Sequence, residues 1–101
     1  MKTLSVGSRL PKDVYHLVLM IDEPILIHFQ HMIDDILISS PEGDILLSWD
    51  VDHDSEWSDE KCMLLREGDK LKEIGGIKTS LLALKSATGT PLKVYLTAQT
   101  N

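Results

Sequence analysis

Between Asp13 and Val51 the chain repeats one arrangement, a run of aliphatic and β-branched residues followed by a short polar break. The runs are DVYHLVLMI, ILIHFQHM, IDDILISS and ILLSWDV, and DEP and PEGD are the sharpest breaks. Apolar runs this short, bounded by Pro, Gly and Asp, fit strands better than helices. Four of them in succession constrain the chain to a β-rich sheet that curls into a sandwich or a partial barrel. A final run, PLKVYLTAQ, alternates strictly: Leu92, Val94 and Leu96 point one way, and Lys93, Tyr95 and Thr97 the other. KLKEI, with charged and apolar residues in turn, reads as a half-exposed strand.

At 101 residues the chain is one domain. Residues 1–12, interrupted by Gly7 and Pro11, read as a lead-in, and 13–101 as the domain itself. Aromatic residues are 5% of the total, so the core rests on Leu, Ile and Val. With Cys62 as its one cysteine, the chain forms no internal disulfide and suits a reducing compartment. The apolar run Val14 to Met20 is cut short by Asp22, Glu23 and Pro24, far below the ~20 apolar residues of a membrane span. The expectation is a cytoplasmic protein with no membrane partner.

Two segments read as helices. In SDEKCMLLREGD, Ser58 is placed to cap, Asp59 and Glu60 occupy the first turn where carboxylates favour a helix, and Met63, Leu64 and Leu65 give an apolar side ending near Gly68. In KTSLLALKSATG, Thr79 or Ser80 caps, Leu81 and Leu84 share a face, and Gly89 follows the end.

The net charge of −6 is unevenly spread. From Asp13 to Glu60 there are thirteen acids and no Lys or Arg, whereas from Arg66 onward six basic residues face three acidic ones. Such a field disfavours phosphate backbones, so no nucleic-acid partner is expected. Asp50, Asp52, Asp54 and Glu56 form an acidic interaction surface suited to a basic partner. The aspartates stand at positions 1, 3 and 5 of a calcium loop, but position 6 is Ser55 where such loops have Gly. Position 12 is Lys61, which places a positive charge where a bidentate Glu is needed. No metal and no cofactor is expected. No spacing sets a nucleophile beside a base, and no Gly-rich phosphate loop is present, so the chain is not read as an enzyme.

The segment LREGDKLKEIGGI, Leu65 to Ile77, resembles the stretch of PDZ domains that leaves the first helix and enters the next strand. Leu65, Gly68, Asp69, Leu71, Ile74 and Gly76 match the family pattern, and Gly75 departs from its usual Asn or Asp. The resemblance implies an α+β, β-rich fold: a five- to six-stranded, partly open barrel or sandwich capped by two short helices. It also implies binding of a partner segment by β-strand addition between the second strand and the second helix. The peptide-binding residues would then be Ile25, Leu26, Ile27, His28 and Phe29, opposite Leu81 and Leu84. Pro24 and Leu26 stand where the family has glycines, and Pro24 has no N–H to offer a carboxylate. An internal partner segment, or a second copy in a homodimer, therefore fits better than a free C-terminus. The expected function is a protein- or peptide-binding module. The alternative is a small acidic inhibitor or immunity-type protein that covers a basic surface through the Asp13–Glu60 block.

Overall fold

Burial with a period of two sets the architecture. A computed structural model of the chain describes residues 2–7, 14–49, 62–73 and 79–99. Nine strands form within them: β1 (Lys2–Val6), β2 (Val14–Ile21), β3 (Ile25–Ile33), β4 (Asp35–Ser39), β5 (Ile45–Ser48), β6 (Met63–Leu65), β7 (Lys70–Glu73), β8 (Thr79–Ser86) and β9 (Leu92–Gln99). In β9 the residues Leu92, Val94, Leu96 and Ala98 are buried and those between them are not, as strand alternation requires. β1 falls inside the segment read as a lead-in, where it pairs in parallel with β3.

The strands make two open sheets, β1-β3-β8-β5-β6 (sheet A) and β2-β9-β4-β7 (sheet B). One core lies between them. Ile25, Ile27, Phe29, Ile45, Leu47, Leu82 and Leu84 come from sheet A, and Tyr15, Ile21, Ile36, Ile38, Leu92, Val94 and Leu96 from sheet B. Tyr15 and Phe29 meet across the layers with ring centroids 5.1 Å apart, tilted by 59°, one of the offset arrangements aromatic pairs favour. Every consecutive pair of strands except β5 and β6 lies in opposite sheets, so the chain crosses the core at nearly every turn. The crossings are short. Asp22–Pro24 joins β2 to β3, Asp34 alone separates β3 from β4, and Ala87–Pro91 joins β8 to β9.

The turns are tied together by side chains the sequence places there. Buried Ser40 donates its hydroxyl to the Gly43 carbonyl, and its own carbonyl accepts the Gly68 N–H at 3.0 Å. An Asp44 carboxylate oxygen accepts the Glu67 N–H at 2.7 Å, and a Glu42 carboxylate oxygen accepts the Lys93 N–H at 2.8 Å. Two acids of the PEGD turn thus hold backbone donors that would otherwise lack a partner.

The expected α+β class is corrected: among the described residues there is no helix. The second expected helix is β8, a central strand hydrogen-bonded to β3 on one side and β5 on the other. Leu82, Ala83 and Leu84 are all buried there. An apolar run buried on both faces has no period of its own, so its pattern fits a buried helix as well as a buried strand, and the neighbours decide. The Thr79 hydroxyl, expected to cap a helix, instead accepts the Leu81 N–H at 3.1 Å. In the first expected helix, Met63–Leu65 form β6 and pair with Ile45–Leu47. Ser58 to Lys61 lie outside the described residues. The turn at Gly68 and Asp69 exists, with Gly68 at φ 83° and the Asp69 N–H bonded to the Arg66 carbonyl at 3.0 Å. It joins two strands, where the PDZ-like reading has a helix running into a strand.

Candidate interaction surface

The residues singled out for peptide binding come together, but as partners of one another. Ile25 pairs with Leu84, Leu26 with Ala83, Ile27 with Leu82 and His28 with Leu81. On its other side Ile25–Phe29 pairs with Lys2–Val6. Both edges of β3 are therefore occupied over this stretch, and among the described residues no helix–strand groove lies beside it. Leu81 and Leu84, expected on one helix face, are three apart on a strand and point to opposite sides. Leu84 enters the core, and Leu81 lies opposite half-buried His28 on the outward face of sheet A. Asp50, Asp52, Asp54 and Glu56 lie outside the described residues. Among the described residues no group of three or more His, Cys, Asp or Glu gathers as metal ligands would, and no helix is long and apolar enough to cross a membrane.

The sheet edges differ sharply. Native proteins protect exposed edges with short strands, lysines, prolines or bulges, because an unpaired edge is a template for another strand. β6 is three residues long, β7 carries Lys70 and Lys72 among its four, and β1 is five residues long and begins with Lys2. β2 has none of these devices. It runs for eight residues with no Lys, Arg, Asp, Glu, Pro or Gly, in unbroken register with β9 from Val14 opposite Gln99 to Ile21 opposite Leu92. Among the described residues β9 is its only strand partner.

The outward face beside this edge is apolar. Tyr15 and Ile21 enter the core and Leu17 and Leu19 pack against it, so His16, Val18 and Met20 face out. Val18 is 63% exposed and Met20 56%. The pairing places Tyr95 next to Val18, and Leu37 next to Thr97; Tyr95 is 45% exposed and Leu37 40%. His16 Nδ1 lies 3.3 Å from the Thr97 hydroxyl, which orients its ring on this face. Three lysines border the patch: Lys93 opposite Met20, Lys70 opposite Ser39 and Lys72 opposite Leu37.

This surface was missed in the sequence, although a signal is there. β9 alternates apolar with polar residues, whereas VYHLVLMI is apolar at both parities apart from His16. A strand at the rim of a sandwich with apolar residues on both faces has one face left to bury.

Comparison of the chain with family models, with curated proteins and with solved structures gives no match.

Proposed function

We propose that the protein is a non-enzymatic binding module that takes an extended partner segment onto the outer edge of β2. The supporting observation is the contrast among the four edge strands of the described residues, three guarded and the fourth long, regular, uncharged and flanked by exposed Val18 and Met20. Main-chain hydrogen bonds to an edge supply affinity, and side chains on the adjoining face supply selectivity. The reading keeps strand addition as the mode and moves it from β3, whose edges are taken, to β2. It places the protein in the cytoplasm, where a chain with the single cysteine Cys62 meets no demand for a disulfide.

The test is a screen of extended peptides, with free and with blocked C-termini, followed by amide hydrogen exchange on the best binder. Exchange should slow at alternate residues between Tyr15 and Ile21, since only every second amide faces the edge. Val18→Lys, at a position already exposed, should weaken binding at least about tenfold while leaving the thermal midpoint unchanged. Absence of saturable binding across the screen, or protection confined to other strands, would overturn the proposal.

A further inference from the structure

The rim of the sandwich at β2 is incompletely covered on its inner side as well as its outer. Tyr15 and Ile21, near the ends of the strand, are buried, but Leu17 and Leu19 between them pack against the core and stay only half-buried. On the outward side His16, Val18 and Met20 are exposed, and Val18 is the most exposed large apolar residue among those described. A lone extended segment on this edge would add one row of side chains. A second folded copy brings more, because behind its own β2 stands the half-covered rim of its own core.

The strand is also complementary to itself. Opposite residues of an antiparallel ladder share a face, so a strand that continues its sheet into a copy of itself does so about a two-fold axis through one residue. With the axis at Val18, Val18 stands opposite Val18, Leu17 opposite Leu19, His16 opposite Met20 and Tyr15 opposite Ile21. Buried residues then meet buried ones, half-buried meet half-buried and exposed meet exposed. With the axis at Leu17 this match is lost, since buried Tyr15 would face half-buried Leu19 and half-buried Val14 would face exposed Met20. Charge favours the same contact. Like charges directly opposite each other destabilise a strand pair, and in a chain of net charge −6 the stretch from Val14 to Ile21 carries no charged side chain. Lys93, opposite Met20 on β9, lies one strand back from the junction, and the axis sends the two copies of it to opposite ends.

We infer that β2 pairs antiparallel with β2 of a second copy of the chain about a two-fold axis at Val18. The pairing joins the two copies of sheet B into one continuous sheet and sets the leucine rims of the two cores against each other. This names the partner for the strand-addition reading and rests on that reading for the use of the edge.

Sedimentation of the full chain from about 1 to 500 μM is the first measurement, a wide range because contacts burying less than about 1,200 Å² belong to the weaker class. A monomer–dimer equilibrium is expected. It should hold or strengthen as salt rises from about 0.05 to 0.5 M, because screening relieves the repulsion between two acidic copies. Val18→Lys sets two lysines opposite each other on the axis and should weaken the dimer at least about tenfold, with an unchanged circular-dichroism spectrum. In a Cys62→Ser background, Val18→Cys should crosslink to itself under oxidised glutathione, since opposite Cα atoms of an antiparallel pair lie within disulfide reach. His16→Cys should not crosslink to itself and should do so with Met20→Cys. A chain monomeric throughout the range, a dimer indifferent to Val18→Lys, or crosslinks that ignore this register would overturn the inference. The peptide screen reads strand addition separately. Peptides that protect β2 in a chain that stays monomeric leave strand addition standing and give the edge to another protein, which overturns the second copy. Crosslinks in the expected register in a chain that captures no peptide support the second copy and remove only the foreign segment.

Discussion

Two glycines show how differently the same substitution acts at different places. A Cβ on Gly43 would lie 2.8 Å from Leu92 Cδ2, and Leu92 is itself buried in the core. A surface side chain would swing away from such a contact, but Leu92 has nowhere to go. Gly43→Ala should therefore cost about 1–3 kcal/mol, in the range of core overpacking. Gly68 has open space around its missing Cβ but a φ of 83°, so Gly68→Ala should cost about 1–2 kcal/mol from the backbone alone. Gly68→Asn should recover part of that loss, since Asn tolerates the left-handed region better. Urea denaturation of the three variants would separate the mechanisms. A Gly43→Ala variant as stable as the parent would mean that Leu92 repacks without cost.

β8 carries the largest consequence at the scale of elements. Two leucines three apart, a hydroxyl at the start and a glycine after the end describe a helix in TSLLALKS, yet the segment is a central strand. Ala83 discriminates between the two. On a helix whose buried face held Leu81 and Leu84, Ala83 would turn to solvent, and Ala83→Leu would be nearly neutral. On β8 Ala83 is fully buried and stands between Leu26 and Ser48 on the outward face of sheet A. Ala83→Leu should then lower stability by about 1–3 kcal/mol, measurable by thermal or denaturant unfolding. The acidic PEGD turn was equally open to misreading. Its charges suggest a surface for a partner, but Asp44 binds the Glu67 N–H in the turn before β7 and Glu42 binds the Lys93 N–H at the start of β9.

For the whole molecule, the alternation of sheets along the chain makes almost every strand pairing non-local. β1 pairs with β3, β3 with β8, β5 with β8, and β2 with β9 at the far end of the sequence. Loop-closure entropy must be met before such pairings give any return, so refolding should fall in the millisecond-to-second range typical of sandwiches. Stopped-flow dilution from denaturant checks this, and completion within microseconds would be incompatible with the topology. The closed core also explains where binding can occur. With its inner faces buried, the molecule has edges and outward faces to offer, and among the described residues β2 is the edge strand that is neither short nor charged.

The strands at 14–21, 25–33, 35–39, 45–48, 70–73 and 92–99 follow from the sequence, because short apolar runs ended by Pro, Gly and Asp leave few alternatives. So does the inward set of β9, because a strict period of two fixes its faces. The tertiary structure decided the rest. Leu65 to Ile77 carries the glycine and aspartate that turn the chain, but a turn is local and does not specify what precedes it. That Met63–Leu65 is a strand came from β5 lying alongside. Leu81 and Leu84 part to opposite faces because β3 and β5 occupy both sides of β8, and β3 has no room for a partner because β1 and β8 take both its edges. Strand order is set by which distant runs find one another, and hydrophobic pattern states only which face each run must bury. The place of β2 at the rim of its sheet was therefore decided by assembly: among the described residues β9 pairs between β2 and β4, and β2 has β9 as its one strand partner.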